Sequence, residues 1–258
     1  MSLIRDGEYH ILSDGWIKID RRDYAVGQGR IPKGRMLLGL NQHLLFKGGK
    51  YLLIDTGLGD KWRREELGLL GYQLPRRLRT ELAMHDVDPQ QIDIVLFTHL
   101  HYDHSGGGTR RTGDLVAPSF PNAVYYVNEI ELRTASNPAP DKMADYRRED
   151  FIPLLERGLL KSVSGEFEVV PGVSLHPAPG HSPGHQVVKI ELEDETLLFA
   201  GDLISTRSHA NLQITMVYDD DRETLIHHRR RWIDSASTGN WKVIFCHAVR
   251  NPIGSINP

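Results

Sequence analysis

Thr98-His99-Leu100-His101-Tyr102-Asp103-His104-Ser105-Gly106-Gly107 decides how this chain is read. Three histidines and a carboxylate fall within positions 99–104, directly after the apolar run 92–97. A short continuous apolar run bounded by turn formers is the pattern of a buried strand. The cluster is therefore expected at the C-terminal end of a strand, where α/β sheets place their sites. Imidazole and carboxylate without a thiolate suit zinc and other divalent ions. Along an extended chain His99 and His101 face one side. Once the chain turns, Asp103 and His104 can face a second ion beside the first. A lone histidine is usually a surface or core residue, but four ligand-type side chains in six positions are poorly explained that way.

Three more strand ends carry the same residue types. His181 lies in Pro179-Gly180-His181-Ser182-Pro183-Gly184-His185, Asp202 follows Phe199-Ala200-Gly201, and His247 follows Val243-Ile244-Phe245-Cys246. Each alone reads as a cap or turn; with the first cluster they make seven ligands. His99, His101 and His181 would hold one ion, Asp103, His104 and His247 the other, and Asp202 would bridge. Two ions roughly 3.5–4 Å apart can share a hydroxide and clamp an oxygen-bearing substrate. Asp55-Thr56-Gly57-Leu58-Gly59 closes another strand, and Asp55 is expected to orient ligand imidazoles.

The rest of the chain frames this site. Its 258 residues are 40 % hydrophobic and 25 % charged, with formal charge −3, and no linker divides them, so a single domain over 1–258 is expected. That charge offers no electrostatic footprint for nucleic acid. Cys246 is the lone cysteine, which rules out an intrachain disulfide and suggests a reducing compartment. No apolar run approaches the roughly 18 residues of a membrane span, and no secretory signal is evident, so a cytoplasmic location is expected. Residues 9–20 read as a hairpin turning at Ser13-Asp14-Gly15, and 21–35 as a loop long enough to form a lid. Runs 36–45 and 51–54 form a hairpin, and a helix over 75–85 starts at Pro75. Asn128 caps a helix over 129–135, and 141–160 is helical but irregular. Short strands follow at 167–170, 173–176, 186–191 and 196–199, then a helix over 222–236 and a strand over 242–246. This order predicts an α/β (α+β) protein, sheet packed on sheet with helices outside.

His99-x-His101-x-Asp103-His104, Asp55-Thr56-Gly57, Gly180-His181, Gly201-Asp202 and His247, in that order over nearly the whole chain, resemble the motifs of the metallo-β-lactamase superfamily. The resemblance implies a four-layer αβ/βα sandwich, two mixed sheets with helices outside, and a site for two divalent ions, zinc first, with Mn, Fe or Co acceptable. Within the superfamily the chain most resembles the N-acyl homoserine lactonase and YtnP-like group. Met216-Val217-Tyr218-Asp219-Asp220 and the 180–185 loop are also similar to methyl parathion hydrolase. True β-lactamases carry Cys where Asp202 stands, and flavodiiron proteins carry Glu where His101 stands. The lactonases have a Tyr shortly after the bridging Asp; here Leu203, Ile204 and Ser205 occupy that stretch. His209 either replaces that hydrogen-bond donor or is a surface residue.

The implied function is opening of lactones of the N-acyl homoserine type, or cleavage of related carboxylic esters, by a metal-bridging hydroxide, with quorum-signal degradation as its role. Asp103 or Asp202 would orient the hydroxide and pass a proton to the leaving alkoxide, with His209 at the oxyanion. The alternatives are a phosphotriesterase or aryl esterase of the methyl parathion hydrolase type and a glyoxalase II-like thioesterase. A nuclease is disfavoured by the absent basic patch. The expected partner is a small lactone or ester, with no nucleic acid and no membrane; a homodimer is left open.

Overall fold

A computed structural model describes residues 5–27, 33–73 and 77–256. The first half contributes β1 (Tyr9–Asp20), α1 (Arg21–Tyr24), β2 (Arg35–Lys47), β3 (Lys50–Ile54), α2 (Arg64–Leu69), α3 (Leu78–Met84), β4 (Ile92–Leu96), α4 (Tyr102–Ser105) and a small hairpin, β5 (Thr109–Thr112) and β6 (Leu115–Pro118). Next come β7 (Val124–Asn128), α5 (Glu129–Ser136), α6 (Arg148–Glu156) and β8 (Leu160–Val163). The second half adds β9 (Phe167–Val170), β10 (Val173–Pro177), β11 (Gln186–Glu191), β12 (Thr196–Phe199), α7 (Arg222–Thr238), β13 (Lys242–Ile244) and β14 (Ile253–Ser255). One six-stranded sheet runs β1-β2-β3-β4-β7-β8 and the other β14-β13-β12-β11-β10-β9.

Period-two alternation explains the layering. Leu52, Ile54, Ile94 and Leu96 face Leu197, Phe199 and Ile244 in a core between the sheets. Their neighbours Leu53, Val95 and Phe97 face outward onto Leu78 and Leu82 of α3 and Phe151 and Leu154 of α6. On the far side, Leu198, Val243 and Phe245 meet Leu225, Trp232 and Ile233 of α7. Both sheets are thus apolar on both faces, and the four layers are helix, sheet, sheet, helix. This is the expected αβ/βα sandwich. Asn128 caps α5 by accepting from the Ile130 N–H at 2.8 Å, and Asp221 caps α7.

Several local expectations are corrected. Residues 9–20 form one long strand, with a register shift between Ser13 and Trp16. Ser13-Asp14-Gly15 is a bulge in β1, because a bulge can turn one side chain inward without ending the pairing with β2. The side chain it turns is Asp14, fully buried. Its carboxylate accepts from the N–H groups of Leu58 (2.9 Å), Gly59 (3.1 Å) and Leu78 (3.3 Å). The 21–35 segment opens with α1, and Val26 bridges to Thr215; positions 28–32 lie outside the described residues, as does Pro75. Strand β14, which pairs antiparallel with β13, has no counterpart among the strands expected from the sequence.

Asp14 makes stability pH-dependent. Burial pushes its carboxyl up to about 7, against the opposing backbone N–H groups and Arg77. A folded-state value raised above the unfolded value of 3.8 means that the folded chain holds the proton more tightly. The associated stability is present at low pH and is lost as pH rises from about 4 to about 7. Asp14→Asn removes this titration. Urea unfolding of both proteins at low and neutral pH is expected to show the variant gaining on the wild type as pH rises, by on the order of 1–3 kcal/mol.

Candidate metal centre

Strands β3 and β4 are parallel, as are β12 and β13, and β10 reaches the direction of β12 through the antiparallel β11. All five of those site-bearing strands therefore empty onto one edge of the sandwich. Asp55 follows β3 with φ +56°, the left-handed region that Asp tolerates better than most residues. Its carboxylate accepts from Thr98 N–H and Oγ1–H, both at 2.8 Å, and lies 2.8 Å from His104 Nδ1. Two glycines make room beside ligands. Gly201 has φ +53°, and a Cβ there would sit 2.7 Å from His185 Nε2. Gly180 has φ +129°, and a Cβ there would collide with the backbone of Leu225.

Four of the five ligand imidazoles, all but His101, have one ring nitrogen committed to the protein. His104 Nδ1 is held by Asp55, His181 Nδ1 by Asp219 at 2.9 Å, and His247 Nδ1 by the Gly39 carbonyl at 2.8 Å. His99 Nδ1 meets Thr98 Oγ1 at 2.9 Å. The opposite nitrogens converge. His181 Nε2 lies 3.1 Å from His101 Nδ1, and His99 completes that group within 4.8 Å. His99 Nε2 is buried and has no hydrogen-bond partner among the described residues. In the second group His104 Nε2 and His247 Nε2 are 3.3 Å apart, and Asp103 Oδ2 lies 3.6 Å from His247 Nε2 and 4.0 Å from His104 Nε2. Asp202 stands between the groups: Oδ1 is 3.1 Å from His247 Nε2 and Oδ2 is 3.2 Å from His181 Nε2.

These spacings fit divalent ions. Donors arranged tetrahedrally at about 2.0–2.1 Å from a zinc lie about 3.3–3.4 Å from one another. The orphaned His99 Nε2 is a buried lone pair that only a ligand would satisfy. Burial first, then the neighbouring imidazoles, push His99 and His101 well below the usual histidine range, so both are neutral. Burial works against protonation of His104, His181 and His247 too, but nearby carboxylates, Asp202 foremost, hold them above the usual value. A cation in place of those protons meets the same carboxylates.

All seven residues expected as ligands are thus brought together. His209 is not where it was expected. It is buried, its Nε2 lies 3.0 Å from the Tyr24 carbonyl and its Nδ1 2.9 Å from Thr206 Oγ1, and it does not line the cavity. It supports Tyr24 from behind, and Tyr24 is the residue that reaches the cavity wall. His185 receives the Asp202 N–H on Nε2 at 3.1 Å and so seats the backbone of that residue. Cys246 packs in the core between the sheets, and its thiol donates to Asp202 Oδ1 at 3.2 Å. Burial and the adjacent Asp202 push the thiol up, which keeps it protonated.

Two supporting residues have roles that the sequence does not assign, although Asp219 lies in the 216–220 stretch noted above. Asp219 orients His181 and also accepts the Met216 N–H at 2.6 Å. Glu131 of α5, fully buried, accepts from Leu100 N–H (2.9 Å), Ser182 Oγ (2.6 Å) and Gly184 N–H (3.2 Å). It therefore clamps the two loops that carry His99, His101 and His181.

The cavity above the centre is walled by Ile17, Ile19, Leu38 and Met216, with Tyr24, Tyr102 and Tyr218, and floored by His101, Asp103, His181, Asp202 and His247. Asp145 also lines it. Among the described residues no Lys or Arg lines it.

The sequence matches the Metallo-beta-lactamase superfamily over residues 37–247. It is 32 % identical over 220 residues to the N-acyl homoserine lactonase AttM of Rhizobium johnstonii, covering 79 % of each chain. It is 31 % identical over 153 residues to an N-acyl homoserine lactonase of a Bacillus sp, but this match spans only 55 % of the chain and 54 % of that relative. In three dimensions it superposes on a probable metal-dependent hydrolase from Staphylococcus aureus with a TM-score of 0.85 at 24 % identity, covering 95 % of this chain and 91 % of that one. With the ligand motifs, the sandwich and these matches in agreement, the chain belongs to the metallo-β-lactamase superfamily and resembles the N-acyl homoserine lactonases within it.

Proposed function

We propose that this chain is a dinuclear, divalent metal-dependent hydrolase that opens lactones of the N-acyl homoserine type. The observation that carries the dinuclear part is Asp202, whose two oxygens face different histidine groups at 3.1 and 3.2 Å. His99, His101 and His181 would hold one ion, and Asp103, His104 and His247 the other, with Asp202 shared. Zinc suits an all-nitrogen-and-oxygen set of this kind. When bound, such ions lower the pKa of water toward neutrality and polarise a carbonyl. The chain supplies the rest. The aliphatic wall of Ile17, Ile19, Leu38 and Met216 excludes water and takes an apolar acyl group. Asp103, partly exposed at the cavity edge, can take a proton and return it to the leaving alkoxide. The absence of a lining cation among the described residues favours a neutral substrate over a phosphate mono- or diester.

The test is metal quantification followed by kcat/KM on N-acyl homoserine lactones, simple γ- and δ-lactones, an aryl ester, a thioester and paraoxon-type triesters. Two ions per chain with lactone turnover far above the rest is the expected result. Two ions with triester or aryl-ester turnover and no lactone opening would move the chain to the parathion-hydrolase reading. Fewer than two ions in an active enzyme would overturn the dinuclear assignment.

A further inference from the structure

Among the described residues that line the cavity, Asp145 is the one carboxylate that the metal centre does not use. Its backbone is fixed to the centre: the Asp145 carbonyl accepts the N–H of Tyr102, between His101 and Asp103, at 3.0 Å. The next residue, Tyr146, packs its ring edge-on against His101 at 4.9 Å between centroids. The Asp145 side chain lines the cavity between Tyr102 and Tyr218, half-buried, and makes no hydrogen bond among the described residues. The nearest cation in sequence, Lys142, acts on the Asp145 carboxylate electrostatically but makes its hydrogen bond and its ion pair elsewhere. Its ammonium pairs with Asp220 and donates to the Tyr218 carbonyl at 3.1 Å. The apolar walls suit an acyl chain, which needs no anionic acceptor.

We propose that Asp145 is a specificity-determining residue that accepts a hydrogen bond from an N–H of the substrate, and so selects lactones bearing an amide beside the ring over lactones without one. The inference rests on the lactone reading above and deepens it. A carboxylate acceptor on a segment tied to the centre, lining the cavity and left without a hydrogen-bond donor among the described residues, rewards a ligand that brings one. It offers nothing to a trialkyl or aryl phosphate triester, which has no N–H.

The test compares wild type, Asp145→Asn and Asp145→Ala, each metal-loaded and metal-quantified. The substrates are N-hexanoyl homoserine lactone and an alkyl γ-lactone of similar size without the amide. For Asp145→Ala, kcat/KM on the amide lactone is expected to fall about 10- to 100-fold, while the amide-free lactone changes less than about threefold. Asp145→Asn, which retains an acceptor oxygen, is expected to lie between. Calorimetric affinity for the ring-opened N-hexanoyl homoserine and for its amide-free hydroxy acid reads the same preference without turnover. Equal losses on both lactones, or none on either, would overturn the assignment, as would a wild type that binds the two ring-opened acids equally well. A wild type that prefers the amide-bearing acid but opens neither lactone would overturn the proposed reaction and leave the role of Asp145 standing.

Discussion

Asp202→Asn is expected to lower kcat/KM by about 1000-fold, or about 4 kcal/mol of transition-state stabilisation, and to reduce the metal content from two ions toward one. The substitution is isosteric, and the Asp202 backbone N–H keeps its bond to His185. What changes is one oxygen. The Cys246 thiol donates to Oδ1, so an asparagine at 202 keeps its amide oxygen on that side, toward His247, and turns its NH2 toward His181. An NH2 group repels a cation and has no lone pair to offer the ion that His99, His101 and His181 would hold. The ion retained should therefore be the one nearest His104 and His247. Elemental analysis and kcat/KM on the same preparation check both halves. A variant that keeps two ions and full kcat would show that Asp202 does not bridge. A thermal melt on metal-stripped protein separates this from misfolding, because the metal-free variant should still unfold cooperatively.

What is legible in the sequence follows from chemistry that is local in the chain. His99, His101, Asp103 and His104 sit within one strand exit, and so many imidazoles crowded there have little use besides holding a metal ion. The sandwich is legible because Leu52, Leu53 and Ile54, or Leu197, Leu198 and Phe199, are buried on both sides, as a strand covered by a sheet on one face and helices on the other must be. The residues that escape are those whose partners are distant. Asp219 meets His181, and Glu131 meets Leu100 and Ser182, across separations that no spacing rule addresses. His209 departs from expectation because its neighbours Tyr24 and Thr206 draw it behind the cavity wall. Asp14 resembles a turn residue because Ser-Asp-Gly has turn composition, yet three backbone N–H groups from other segments hold it inside.

Glu131→Ala is expected to cost about 3–5 kcal/mol of stability and to weaken binding of the ion at His99, His101 and His181 by about 10- to 100-fold. Glu131 is completely buried, and its two oxygens serve three donors on two loops. Removing the carboxylate strands the Leu100 and Gly184 N–H groups away from water, and each stranded donor costs about 1–3 kcal/mol. It also frees the loops to move independently. Leu100 lies between His99 and His101, and Ser182 follows His181, so the clamp sets the distance between the two halves of one ligand group. Glu131→Gln separates the two effects. The amide keeps one acceptor, and its NH2 faces a donor it cannot satisfy; because burial already raises the Glu131 carboxyl above its ordinary value, loss of the charge itself costs less than loss of the acceptor. The glutamine variant should therefore fall between wild type and alanine in both chemical unfolding and metal titration. If Glu131→Ala unfolds at the wild-type urea midpoint with unchanged metal affinity, the clamp has no energetic role. If it loses stability but binds the ion as tightly as wild type, Glu131 supports the fold and not the centre.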